Sequence, residues 1–368
     1  MTKKISIANI QAPATIRDGD RVVHTSDGFS AVPPTSPIFN APVPTMQGEI
    51  YGYKVGGAYQ PPSNYTESDT IKFAFASEGS QTNIGTTPLL GPESRQSQYA
   101  AGVSGTEYAY EIGHTTYPEP QPFSIRGATW SINYASDAYA LSTIWPQFAG
   151  YLKAGSSSPD TGYVFGGYGA NPDTTPITTT PYPVSQQDSI VKFPFASSTT
   201  PATDVGELAE PGYHGASGTP TDAFLFSRNA SLVPATRMIK FNYATETAQT
   251  SSFLTFPSSD YGTVVSSKIA GYYAGGTPFP AATNAIHKFP FANDSNGTDV
   301  GELVQGVYYS APSSSTNNGY SLGGSFAPGI GTNSVNSIQK FPFSSDSPAT
   351  DVGEIGSTIF SNGAGAQV

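Results

Sequence analysis

Short runs in which apolar and polar positions alternate recur along most of the chain, divided by Gly, Pro, Asn and Ser. Nowhere do apolar residues return at the three-and-four spacing of an amphipathic helix, so the pattern predicts an all-β chain. The clearest run is I-x-K-F-P-F, at Ile190 to Phe195, Ile286 to Phe291 and Ile338 to Phe343. Looser copies stand at Lys72 to Phe75 and Lys240 to Tyr243, with a degenerate one at Ser131 to Tyr134. Their first core positions, Phe73, Ile132, Phe193, Phe241, Phe289 and Phe341, mark six units spaced 59, 61, 48, 48 and 52 residues apart. Such spacing fits four short strands plus loops.

Two further elements keep a fixed order around that run. Before it come GYKVGG at 52–57, GYVFGG at 162–167, GYYAGG at 271–276 and GYSLGG at 319–324. Units two and four offer Tyr108 to Gly113 and Asp222 to Ser227 instead, without the double glycine. After it come ATDVGEL at 202–208, TDVGEL at 298–303 and ATDVGEI at 349–355. These predict a turn and short strand, with Gly in a left-handed position and Asp bonded to nearby amides. A fourth strand of aromatic or small residues follows, as at Tyr213 to Gly218 and Val307 to Ser310. One four-stranded sheet cannot bury both faces, whereas six packed around an axis can, so the expectation is a six-bladed β-propeller. The phenylalanines and tyrosines are expected to fill the space between sheets, and the glycine pairs to allow close strand approach.

Residues 1–47 stand outside the repeat and 48–368 carry it. The leading segment predicts strands at Lys4 to Ile10 and Arg21 to His24, a turn at Arg17 to Asp20, and an extended Pro-rich stretch, AVPPTSPIFNAPVPT. It reads as an arm that anchors the chain to an assembly or adds a strand to close the ring. Near the other end, Ser357 to Phe360 is the expected closing strand, with SNGAGAQV frayed.

Composition narrows the chemistry. The chain has 368 residues, 39 of them Gly and 32 Pro, and only 12% are charged, with a formal net charge of −11. The 16 Lys and Arg are spread singly, which disfavours direct nucleic-acid binding. No cysteine is present, which excludes disulfides and thiolate-bound metals, and the four histidines, His24, His114, His214 and His287, show no ligand spacing. There is no phosphate loop, dinucleotide fingerprint or nucleophile elbow, so no cofactor and no metal are expected. No apolar run is long enough to span a membrane, and the start lacks a signal-peptide pattern, so the protein reads as soluble. Lys72, Lys192, Lys240, Lys288 and Lys340 occupy one repeat position and are expected to lay their stems on aromatic surfaces. Asp204, Asp299 and Asp351, with Glu207, Glu302 and Glu354, recur in near-identical loops and read as turn stabilisers, since a glycosidase pair must converge at one centre.

The double glycine followed by a loop and an aromatic strand resembles Kelch repeats, although both tryptophans, Trp130 and Trp145, fall in unit two. The ordered GYxxGG, IxKFPFAS and ATDVGEL segments more closely resemble Kelch-like proteins of marine bacteriophages of the cyanophage type. That resemblance implies a non-enzymatic virion structural or tail-associated protein. Its arm would attach it to other virion or tail proteins, and its ring would contact another copy, a host-surface protein or a glycan. It would be assembled in the host cytoplasm. The aromatic crowd of unit two, Tyr108, Tyr110, Tyr117, Trp130, Tyr139 and Trp145, is the candidate recognition surface. A second class of function is a carbohydrate-binding or carbohydrate-processing propeller.

Overall fold

The computed structural model describes residues 21–25, 28–32, 47–57, 69–79, 81–86, 100–116, 124–142, 150–151, 153–169, 185–196, 200–209, 214–227, 237–251, 261–277, 282–292, 296–326, 333–359 and 364–368. The chain divides into two compact units, Met1–Pro44 and Thr45–Val368. In the first, Arg21–Thr25 pairs with Gly28–Val32 as an antiparallel hairpin. The expected strand at Lys4 to Ile10, the turn at Arg17 to Asp20 and residues 33–45 of the Pro-rich stretch lie outside the described residues.

The second unit is a six-bladed β-propeller of antiparallel sheets. Read from inner to outer strand, the second blade is Ala101–Ser104, Tyr108–Thr116, Ser124–Asn133 and Tyr139–Ser142. The third is Ala154–Ser157, Thr161–Gly169, Ser185–Pro194 and Thr203–Glu207, with Gly150–Tyr151 as an extra strand. The fourth is His214–Gly218, Asp222–Ser227, Arg237–Asn242 and Thr247–Ser251. The fifth is Thr263–Ser266, Ala270–Ala274, Ala285–Pro290 and Thr298–Glu302, and the sixth is Ala311–Ser314, Asn318–Ser325, Ser334–Pro342 and Thr350–Ile359. Each inner strand touches the inner strands of its two neighbours, which completes the circle.

The first blade closes the ring. Its outer three strands, Tyr51–Val55, Asp69–Ala74 and Gln81–Thr86, come from one end of the repeat, and its inner strand, Ala364–Gln367, from the other. Ala364 stands opposite Val55 and Ala366 opposite Tyr53. The amides of Glu49, Ile50 and Tyr51 all donate to the Val368 carbonyl, at 2.9, 2.7 and 3.0 Å. The expectation for Ser357 to Phe360 is therefore corrected: residues 357–359 extend the sixth blade's outer strand, and AGAQ closes the first. The physical reason is crowding near the axis, where the glycines of successive inner strands face backbone carbonyls. A Cβ built on Gly365 would lie 1.6 Å from the Pro312 carbonyl oxygen, on Gly102 2.0 Å from that of Gly365, and on Gly155 2.2 Å from that of Gly102.

Away from the axis the gap between blades widens, and aromatics fill it. The second-strand aromatic of one blade meets the third-strand Phe of the next: Tyr110 with Phe193 at 5.1 Å, Tyr163 with Phe241 at 5.4 Å, Phe224 with Phe289 at 6.3 Å, Tyr272 with Phe341 at 5.8 Å and Tyr320 with Phe73 at 5.3 Å between ring centroids. In the remaining interface Ile132 replaces Phe, and Tyr53 meets Tyr134 at 5.3 Å. Each fully buried Phe-sized side chain contributes about 1.5–3 kcal/mol, and a ring pair about 0.5–1.5 kcal/mol beyond that. The glycine of each GY pair makes room for the same Phe within its own sheet. Gly52, Gly162, Gly271 and Gly319 stand opposite Phe73, Phe193, Phe289 and Phe341. Where that glycine becomes Ala109, its partner shrinks to Ile132.

Four of the repeated lysines also join neighbouring blades. Lys72 pairs with Asp137, Lys192 with Glu246, Lys288 with Asp346 and Lys340 with Glu78, each acid lying in a turn of the following blade. Lys240 pairs instead with Asp222 of its own blade. In the outer strands, the side chains of Asp204, Asp299 and Asp351 accept from the amides of Gly206, Gly301 and Gly353. Asn83 does the same for Gly85 in the first blade, a copy of the motif that its Asn disguises in sequence.

Candidate functional site

Because the strands of each blade run antiparallel, all second-to-third and outer-to-inner connections depart from one face of the ring. The longest, 87–100 and 170–184, are among them. The opposite face carries the three-residue turns 105–107, 158–160, 219–221, 267–269 and 315–317.

On the long-loop face the connection 303–310 is described throughout. It runs between the double glycines of the fifth and sixth blades. The Gly276 amide donates to the Val307 carbonyl at 2.7 Å, and Tyr308 and Ser325 exchange two backbone bonds of 2.9 Å. A Cβ on Gly275 would meet the Val307 oxygen at 2.3 Å, and one on Gly324 the Tyr308 oxygen at 2.8 Å. Gly275 and Gly276 have φ of 70° and 93°, and Gly323 and Gly324 of 64° and 107°. The glycine pairs thus turn the strand and admit the loop backbone.

That loop places Tyr309 beside Tyr261, with ring centroids 4.2 Å apart. Both rings are partly exposed, and Tyr308 lies buried behind, 5.0 Å from Tyr309. Beneath them Thr263, Ser310 and Ser321 form a buried hydroxyl cluster, in which the Ser321 and Ser310 oxygens lie 2.9 Å apart and the Thr263 and Ser321 oxygens 3.2 Å apart. Sequence reading passed over these tyrosines, whose signal is their recurrence at two positions before successive inner strands.

Buried charges are the second unexpected feature. Lys54 and Glu111 hold the same second-strand position in adjacent blades, and each is 1% exposed. Lys153 stands just before the third blade's inner strand, on the long-loop face, and burial pulls its ammonium down to about 8. His287 is held below the usual imidazole range by burial, against the opposing pull of Asp299 across the strand pair. Among the described residues no three His, Cys, Asp or Glu side chains converge as a metal site.

The unit-two aromatics fall elsewhere. Tyr110 is 2% and Trp130 5% exposed, so both belong to the interior, and Tyr110 packs on Phe193 and Phe195 of the third blade. Tyr108 flanks the same cluster, while Tyr139 packs against the first blade, where burial pushes its hydroxyl up. For Tyr110 and Trp130 the expectation of a recognition surface is corrected: both are buried, and Tyr110 fills space between sheets. Tyr117 and Trp145 lie outside the described side chains. The repeated Asp and Glu of the TDVGE strands stay on separate outer edges and do not converge. No helix among the described residues is long and apolar enough to cross a membrane.

No protein-family model and no curated protein sequence matches the chain. In fold it is similar to the solved structure of YjhT, with a TM-score of 0.62 and 12% identity, over 83% of this chain and 98% of that one. The resemblance to phage proteins is corrected accordingly, because the repeat segments that carried it find no sequence match and the structural likeness leads to YjhT. With it go the non-enzymatic assignment, the virion or tail location, the virion and tail partners and the role in host attachment.

Proposed function

We propose that this chain is a carbohydrate-binding or carbohydrate-processing β-propeller that engages its ligand on the long-loop face. The observation that carries the reading is the connection between the fifth and sixth blades, where the partly exposed Tyr261 and Tyr309 adjoin the buried hydroxyls of Thr263, Ser310 and Ser321. Carbohydrates present apolar C–H faces and rims of hydroxyls, and rigid aromatic rings offer the matching area at low rotamer cost. The likeness to YjhT supports the scaffold. The double-glycine bends of the second strands support reading the repeat as Kelch-like, and the division of the chain after Pro44 supports reading the leading residues as an arm.

The test is incubation of the purified chain with a panel of labelled oligosaccharides, followed by equilibrium binding and by mass analysis of the sugars. Retention of a defined glycan is the expected result, and conversion of it to a product identifies processing. Neither retention nor conversion across the panel would sink the proposal.

A further inference from the structure

We propose that two copies of this chain pair through the face that carries the short turns, the fifth-blade turn of each lying on the first-blade turn of the other. Every blade enters its second strand from a turn whose last residue holds one position: Ile50, Glu107, Asp160, Thr221, Ile269 and Asn317 in chain order. In each the carbonyl accepts from the first amide after the third strand, at 2.9–3.0 Å. Four of the six are polar and exposed, as suits a solvated turn. Ile50 and Ile269 are 57% and 73% exposed, and they are two of the four large apolar side chains left exposed among the described residues.

Charge marks the same two turns. The residue before each isoleucine is Glu49 in the first blade and Lys268 in the fifth, both exposed, whereas the other blades carry Thr106, Pro159, Pro220 and Thr316 there. The first and fifth blades flank the sixth. A two-fold axis directed from the ring centre through the sixth blade therefore sets Ile50 on Ile269 of the second copy and Glu49 on its Lys268, and repeats both contacts in reverse. Thr316 and Asn317 of the sixth blade meet their own counterparts without charge. Flush stacking would also bring the exposed Asp160 of the third blade against itself. The contact is thus confined to the first, fifth and sixth blades, with the acidic side of the face standing open.

The turns are formed in advance. The Val368 carbonyl holds the amides of Glu49 and Ile50, and the Ser267 hydroxyl accepts from those of Ile269 and Ala270, at 3.3 and 3.0 Å. The Gly48 amide donates to the Ser314 carbonyl at 2.8 Å, and its own carbonyl accepts from the Thr316 amide at 3.1 Å, which ties the first turn to the sixth. Isoleucines presented this way lose little freedom on association. Three turns per copy make a small contact, so the dimer dissociates in the micromolar range.

The test is sedimentation velocity of the full chain from submicromolar to submillimolar concentration. The wild type should pass from monomer to dimer. Ile50→Ser and Ile269→Ser should each weaken the dimer about tenfold or more, since symmetry counts each change twice. Their thermal midpoints in dilute solution should match the wild type, because both side chains are exposed. Lys268→Glu should weaken the dimer about fivefold at low salt, and adding Glu49→Lys should restore it. A wild type that stays monomeric, a dimer indifferent to both serine variants, or a charge reversal that the double variant fails to rescue would each overturn the proposal. A serine variant with a lowered midpoint in dilute solution would assign that isoleucine to folding and overturn it as well.

Discussion

Lys340 of the sixth blade donates to both carboxylate oxygens of Glu78 in the first blade, at 2.8 Å each, across the seam of the ring. Each side chain keeps about a quarter of its surface exposed, 24% and 26%, so solvent screens the pair. Lys340→Ala should therefore cost no more than about 1 kcal/mol, and the loss should shrink in high salt. Glu78 has φ of 50°, so Glu78→Gly loses the pair but relieves the backbone and should cost less than Glu78→Ala. Urea midpoints at two salt concentrations check both orderings.

Gly271 faces Phe289 so closely that an added Cβ would lie 1.9 Å from the ring. Gly271→Ala should destabilise by about 1–3 kcal/mol through overpacking. Adding Phe289→Ile reproduces the Ala109–Ile132 combination of the second blade and should recover part of that loss. A double-mutant cycle reads the coupling, and strict additivity would contradict it.

Lys153 carries the clearest pH signature. Its ammonium titrates at about 8 when folded, because burial penalises the charge, against an ordinary value of 10.5. The unfolded chain therefore binds more protons between those values, and stability should rise with pH across that window. Buried tyrosines oppose the trend at its upper end: burial pushes Tyr110, Tyr163 and Tyr320 up to about 12, so their share of stability is lost as pH climbs past the ordinary 10.0. Lys153→Met should abolish the rise above pH 8 and add up to about 3 kcal/mol at neutral pH. Chemical denaturation from pH 7 to 10 measures it.

Tyr110 and Trp130 offer a direct check on the interior of the second blade. Tyr110→Ala and Trp130→Ala should each cost about 3–5 kcal/mol as cavity-forming changes. A loss below about 1 kcal/mol would mean that these rings are not packed as described.

Much of the ring was legible in sequence because its grammar lies in side-chain size. Phe193, Phe289 and Phe341 recur where the interblade gap is wide, and Gly162, Gly271 and Gly319 recur opposite them. Asp–Gly pairs show themselves for the same reason, since one supplies the acceptor and the other the permissive backbone. The closing strand was missed because AGAQ has no β-branched or aromatic residue; steric exclusion at the axis selects it, and that constraint exists only once the blades have assembled. The second blade misled because its buried aromatics look like those of a recognition patch. Tyr261 and Tyr309 escaped notice because nothing in their letters reveals a left-handed backbone.

The closing strand has a consequence for synthesis. Tyr53 and Val55 leave the ribosome long before their partners Ala366 and Ala364, which stand at the far end of the repeat. Until then the first sheet lacks an edge, and apolar side chains destined for the seam remain open to solvent. Pairings this distant in sequence are slow to form, and the waiting surface is prone to aggregate. The seam thus stays open until Ala364–Gln367 has been made, and translation rate should influence the yield of native protein.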